Sequence, residues 1–175
     1  MRITGGSWRG RRLLSPDDPR ARPTTERVRE AWMNIVRDRL PGARCVDLFA
    51  GTGAMGLEAL SRGAASCDFV ELYQHNLTAL GRNLEALGVE HARMFRADAL
   101  RFAAKLERLA YDVAFADPPY TTRHAGRVAD LFRRRPFARI LGVEHDVKED
   151  VGDGDHRRYG TTVLTFLEAP DTHGS

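Results

Sequence analysis

Asp117-Pro118-Pro119-Tyr120 sets an acid, two prolines and an aromatic directly after the apolar run Val113-Ala114-Phe115-Ala116. Proline fixes φ and has no N–H, so Pro118-Pro119 leaves carbonyl acceptors at set positions without competing donors. Asp117 adds a carboxylate that, when ionised, only accepts hydrogen bonds, and Tyr120 adds a flat ring face. Together these groups suit an amino group carried on an aromatic ring, with acceptors for its N–H bonds and a surface for the ring to stack on. The same residues also suit a strand stop followed by a turn, since Asp-Pro is common turn chemistry. The other strand ends bear on which reading holds.

Asp47-Leu48-Phe49-Ala50-Gly51-Thr52-Gly53-Ala54-Met55-Gly56 contains a G-x-G-x-x-G spacing, and Glu71 follows 24 residues after Asp47. Such glycines let the backbone approach a ligand, and an acid at the end of the next strand suits a ribose diol. Any adenosine-containing cofactor fits that pattern, a nicotinamide dinucleotide included. In dinucleotide sites the pyrophosphate rests on the helix N-terminus, where Asp47, four residues before Gly51, would repel it. That acid suits instead a cofactor with a cationic amine, such as the methionine part of S-adenosylmethionine. A further acid, Asp98, follows the third strand with Ala99 beside it, placed to accept from an adenine amino group or to cap the helix that starts there. The expected cofactor-binding set is Asp47, Gly51, Gly53, Glu71, Asp98 and Ala99, and the expected catalytic set is Asp117, Pro118, Pro119 and Tyr120.

These positions require a particular scaffold. Strands are predicted at Cys45–Phe49, Cys67–Leu72, Ala92–Arg96, Tyr111–Ala116 and Arg139–Val143, and helices at Ala54–Arg62, Gln74–Leu87, Ala99–Arg108 and Ala125–Arg134. Apolar strands alternating with amphipathic helices predict an α/β fold, a Rossmann-like doubly wound and mostly parallel sheet. His156–Tyr159 and Thr162–Leu167, joined near Gly160, break the rhythm and predict an antiparallel C-terminal hairpin at one edge. Before the first strand, Arg2–Thr4 and Arg11–Leu14 around Gly5-Gly6 and Gly10 predict a small hairpin, followed by a loop over Pro16–Pro23. A helix from Glu26 to Leu40 then presents Val28, Trp32, Ile35, Val36 and Leu40 on one face. The expected organisation is a basic N-terminal extension over 1–24, a catalytic domain over 25–169 and a tail over 170–175.

Residues 1–30 hold eight arginines and four acids, a net +4, whereas the whole chain is +3. The basic character therefore belongs to one end, which suits a polyanionic partner or a solvated terminus. Arg9, Arg11, Arg12, Arg22 and Arg27 are the candidate contacts. Thr24, Thr25, Arg27 and Arg29 suit either a lid over the cofactor or the start of a helix. Cys45 and Cys67 have neither zinc spacing nor a disulfide framework, so buried reduced thiols and no metal are expected. No apolar stretch reaches the roughly 18–20 residues of a membrane span, and the N-terminus lacks the apolar core of a secretory signal. A cytoplasmic monomer without membrane contact is expected.

With these residues in place, the chain resembles the class I S-adenosylmethionine-dependent methyltransferases. More closely it is similar to the RsmD family of bacterial small-subunit rRNA guanine-N2 methyltransferases. The likeness is carried by Arg2-Ile3-Thr4-Gly5-Gly6-Ser7-Trp8-Arg9-Gly10-Arg11, by Arg22–Glu30, by the run from Asp47 to Ala64, by Asp117–Tyr120 and by Tyr159-Gly160. The glycine loop and the tetrapeptide occur in many amino-methyltransferases; the two N-terminal motifs are the family-specific part. The chain departs from the pattern at Thr52 in place of serine, at Tyr73 in place of an acid, and in shorter stretches at Thr121–Arg139 and Asp146–His156. The resemblance implies methylation of the exocyclic N2 of a guanine in 16S rRNA, with the naked rRNA or the small ribosomal subunit as partner. An N6-adenine methyltransferase of DNA or RNA shares the tetrapeptide and stays open. So, more remotely, do a non-catalytic RNA-binding module and a dehydrogenase.

Overall fold

The computed structural model describes residues 1–15 and 24–172. The loop expected over Pro16–Pro23, with Arg22 in it, lies outside the described residues. One seven-stranded sheet runs in the order β3-β2-β1-β4-β5-β7-β6. Its strands are β1 Arg44–Leu48, β2 Ser66–Glu71, β3 Ala92–Arg96, β4 Tyr111–Ala116, β5 Ala138–Asp146, β6 Asp155–Tyr159 and β7 Thr162–Glu168. β1 to β5 are mutually parallel, and β7 inserts antiparallel between β5 and β6. The hairpin predicted at the C-terminus thus closes the edge with its second strand inside.

Helices α1 Glu26–Val36, α2 Ala54–Ser61 and α3 Gln74–Leu87 cover one face, and α4 Ala99–Ala104 and α5 His124–Arg134 the other. Residues along each strand alternate between the two layers, as a period of two requires. Cys45 and Phe115 point to the α1–α3 side; Val46, Leu48, Ala114 and Ala116 point to the α4–α5 side. Trp32 of α1 is fully buried, edge-on to Phe115 at 5.8 Å and to Phe166 at 6.3 Å between ring centroids. The first helix is shorter than its apolar pattern suggests. Arg37–Arg39 tightens into a 3₁₀ turn before Pro41-Gly42, as helix ends often do. Both cysteines are free and buried, and burial pushes the Cys45 thiol up to about 12.

The N-terminal hairpin is smaller in backbone pairing than in packing. Arg2 and Arg12 form a single antiparallel bridge, yet Ile3 is 1% exposed and joins the α1–α3 core with Leu13. Glu58 on α2 takes the Thr4 N–H at 2.6 Å and the Arg29 Nε at 3.1 Å, and Arg29 also donates to the Arg2 carbonyl. Gly6, at φ +78°, lies so close to α2 that a Cβ there would sit 1.9 Å from the Ser61 carbonyl oxygen. The hairpin is therefore built into the core of the fold.

Candidate active site

The parallel register lines up the carboxyl ends of four neighbouring strands. Val70 pairs with Leu48, Leu48 with Ala116, and Ala116 with Val143. The next residues form a row, Glu71, Phe49, Asp117 and Glu144, across the switch between β1 and β4. In an open α/β sheet that crevice is where ligands bind. Sequence reasoning placed Glu71 and Asp117 there and missed Glu144, because the predicted fifth strand stopped at Val143. The observed strand continues to Asp146; extending it by one residue beside Asp117 was the available signal.

Asp47 lies one layer below the row and is 1% exposed. Its Oδ2 accepts the Gly56 N–H at 2.9 Å, so a strand carboxylate caps the first turn of α2. Burial pushes its carboxyl well above the usual range; the Gly56 hydrogen bond opposes that, and the charges of Asp117 and Glu71 add to it. Gly53 holds φ +91°, and a Cβ there would stand 2.4 Å from Leu80 Cδ1, whereas a Cβ on Gly51 would meet nothing within 4 Å. One glycine thus lets the loop pack against α3, and the other faces open space at the crevice. Asn83 of α3 secures both neighbours: its Nδ2 donates to the Thr52 carbonyl at 3.0 Å and to the Leu14 carbonyl at 3.1 Å.

Glu71 is 7% exposed, and its two oxygens are held in orientation. Oε1 accepts from Gly51 N at 3.0 Å and Asn76 Nδ2 at 3.2 Å, and Oε2 from Tyr73 N at 2.7 Å. Each carboxylate oxygen has two lone-pair sites, so Oε2 retains capacity for a hydroxyl. Asp98 caps α4, its Oδ1 accepting Arg101 N at 2.9 Å, and Ala99 beside it is buried. The cap reading of Asp98 is realised, and its second oxygen is not needed for it.

In the tetrapeptide, Pro118 is buried, Pro119 exposed, and Asp117 and Tyr120 half-buried. Thr122 Oγ1 donates to the Pro119 carbonyl at 2.7 Å, which tightens the turn after the motif. The Tyr120 hydroxyl lies 2.9 Å from Thr162 Oγ1, anchoring the ring to the start of β7. Asp117 Oδ2 accepts a hydrogen bond from the Thr24 hydroxyl. Phe49, at φ +58°, stacks on His124 of α5 with 5.8 Å between centroids and 19° between planes. No sequence pattern pointed to that pair.

The basic residues divide. Arg9, Arg11, Arg12 and Arg27 are exposed, with Arg11 Nη2 donating to the Ala86 carbonyl at the end of α3, 2.9 Å away. Arg29 does not reach the crevice: it is fully buried in an ion pair with Glu58, so its expected part in a lid is replaced by a part in the core. Thr25 caps α1 through Val28 N at 3.2 Å, the helix-start reading. Among the described residues no three His, Cys, Asp or Glu are grouped to hold a metal ion, and no helix is long and apolar enough to cross a membrane.

The family model described as Conserved hypothetical protein 95 matches residues 1–167. Ribosomal RNA small subunit methyltransferase D of Escherichia coli (strain K12) is 43% identical over 120 residues, 69% of this chain; the match spans 60% of that protein's length. YlbH of Bacillus subtilis (strain 168) is 39% identical over 175 residues, covering 94% of this chain and 95% of its own. Among solved structures, a hypothetical protein of Thermus thermophilus aligns with a TM-score of 0.85 at 30% identity, covering 97% of this chain and 99% of its own.

Proposed function

Because the chain belongs to the RsmD family, we propose that it methylates the exocyclic N2 of a guanine in 16S rRNA, using S-adenosylmethionine. The observation that carries this reading is the group of acids at the switch point. Asp117 and Glu71 both repel Asp47 there, and the Gly56 N–H in the first turn of α2 is already taken by Asp47. A pyrophosphate would meet three acids in that arrangement, whereas a cofactor with positive charge relieves their repulsion. Glu71 is oriented for a ribose diol, Gly51 leaves room beside it, and Asp98 and Ala99 stand at the next strand end for the adenine.

When bound, S-adenosylmethionine supplies an electrophilic methyl group on a sulfonium. The protein's share is to present the amine. An aryl amine is a weak nucleophile because its lone pair is delocalised into the ring. With one N–H held by Asp117 and the other by the Pro118 carbonyl, the nitrogen turns its lone pair out of the ring plane. Positioning of this kind is worth up to about 7–11 kcal/mol in well-oriented systems, and the acids stabilise the positive charge that develops on nitrogen. The guanine leaves its stack to enter, and Tyr120 is the face it stacks on. Arg9, Arg11, Arg12, Arg22 and Arg27 contact phosphates, which positions the RNA without reading its sequence. The protein acts as a cytoplasmic monomer on the rRNA or the small subunit.

Unmethylated 30S subunits, naked 16S rRNA and DNA, each incubated with labelled cofactor, test this directly. Mass spectrometry of the nucleosides is expected to show N2-methylguanosine. N6-methyladenosine would refute the assignment, and calorimetric binding of NAD but not of S-adenosylmethionine would remove the methyltransferase reading altogether.

A further inference from the structure

The Thr24 hydroxyl reaches two acids, Asp117 just after β4 and Glu144 within β5. Ala116 of β4 pairs with Val143 of β5, so the following residues, Asp117 and Glu144, are neighbours at the carboxyl edge of the sheet. The Thr24 hydroxyl donates to Asp117 Oδ2 and lies 3.1 Å from Glu144 Oε2. Glu144 is 4% exposed, whereas Thr24 and Asp117 are half-buried. The cap of α1 is Thr25, which leaves the Thr24 side chain to the crevice.

A hydroxyl has one hydrogen to donate, and here it has two carboxyl groups within reach. Hydrogen bonds to an ionised acceptor are roughly twice as strong as those to a neutral one. The contact to Asp117 is the shorter of the two, so the hydrogen rests there and limits the carboxylate's rotation, leaving Oδ1 for the amine. A proton on Asp117 weakens it as an acceptor, and Glu144 is the other carboxyl within reach, so the hydroxyl turns to it.

We propose that Thr24 is a positioning residue for methyl transfer, its hydroxyl turning from Asp117 to Glu144 as Asp117 takes up the amine's proton. The inference rests on the methyltransferase reading above. In the step itself the nitrogen lone pair forms the new N–C bond, the C–S pair stays with sulfur, and the displaced N–H proton passes to Asp117. Thr24 neither gains nor loses a proton; it holds the carboxylate before transfer and releases it afterwards.

Three variants test this: Thr24→Val, which keeps the shape and loses the hydroxyl, Thr24→Ser, which keeps the hydroxyl, and Thr24→Val combined with Glu144→Gln. In single-turnover assays with 30S subunits, Thr24→Val is expected to slow methylation about 10- to 100-fold, with cofactor and RNA dissociation constants changed by less than about threefold. Thr24→Ser is expected to retain the rate within about threefold, since the donor survives. The double variant is expected to be no slower than Thr24→Val alone, because both changes break one device. A wild-type rate in Thr24→Val, an equal loss in Thr24→Ser, or binding that falls as far as the rate would each overturn the proposal. The ¹³Cγ resonance of Asp117 in the cofactor-free protein gives a readout independent of activity. It is expected to move in Thr24→Val and stay in Thr24→Ser, and an unmoved resonance in Thr24→Val removes the contact. A wild-type protein that methylates no RNA would sink the function proposed above, and this resonance would then decide on the contact alone.

Discussion

Asp47 shows how one side chain holds structure while remaining ionisable. It holds the glycine loop by capping α2, and it does so in a buried position that raises its proton affinity. The sign of the stability effect follows from that direction. Below the ordinary carboxylate value of about 3.9 the folded and unfolded chains both carry the proton. Above it the unfolded chain releases the proton first, so stability due to this group falls as pH rises toward the folded value. Asp47→Asn keeps an acceptor for Gly56 and removes the titration. The melting temperature of the cofactor-free variant, relative to wild type, is expected to improve as pH rises through the range above the ordinary carboxylate value. A constant difference across that range would show that Asp47 does not titrate on folding. Asp117 has the opposite expectation, a loss of rate rather than of stability. Asp117→Ala is expected to lower turnover by at least about 100-fold while cofactor affinity stays within a few-fold. Calorimetry alongside single-turnover kinetics separates the two, and an equal loss of both would make Asp117 a cofactor ligand.

At the scale of elements, α2 joins the N-terminal hairpin to the site. Its first turn is capped by Asp47, its middle carries Glu58, and its last residue, Ser61, receives the hairpin: the Ser61 carbonyl takes Ser7 N at 2.8 Å and its hydroxyl takes Trp8 N at 2.9 Å. Removing one partner of a fully buried ion pair costs about 3–5 kcal/mol, because the other charge is left uncompensated. Glu58→Ala is therefore expected to lower unfolding free energy by that amount in urea titration. Faster hydrogen exchange at Thr4, whose N–H loses its acceptor, is expected alongside. Stability within about 1 kcal/mol of wild type would mean that the Arg29–Glu58 pair contributes little. Element boundaries were mostly legible because apolar periodicity is a local signal; α3 and β3 match their predicted bounds. The docking of the hairpin was not legible. Arg29 and Glu58 are charged residues on separate predicted helices, and nothing local marks them as buried against each other. Similarly, Asp47 read as a ligand for a cationic amine because its spacing from the glycines is visible, whereas its bond to Gly56 depends on how the loop turns.

For the whole molecule, the exposed arginines of the hairpin and α1 and the crevice at the carboxyl edge are parts of one body. Mutating Arg9, Arg11 and Arg12 together to Ala is expected to weaken rRNA binding and reduce the slope of log K against log salt. Three lost phosphate contacts on a single-stranded target correspond to a reduction of up to about 2 in that slope. An unchanged slope would place the RNA elsewhere on the surface. The mostly parallel sheet itself was readable from the alternation of strand and helix, and the antiparallel closure from the break in that alternation. The order of the last two strands across the edge was not, because a hairpin can add to a sheet by either strand. The register that brings Glu144 beside Asp117 likewise depends on a pairing 27 residues apart in sequence, which no local pattern fixes.

The hairpin's anchors also set an order of assembly. Thr4, Trp8 and Leu14 bond to partners 54, 53 and 69 residues later in the chain. A growing polypeptide presents its N-terminal arginines long before Glu58, Ser61 and Asn83 exist to receive them, and closing such long loops is entropically slow. The arginine-bearing hairpin is thus synthesised before its anchors and shaped late. It becomes a defined surface only after α2 and α3, which frame the cofactor crevice, have left the ribosome. In nascent chains halted before Asn83, the first fifteen residues are expected to remain open to protease.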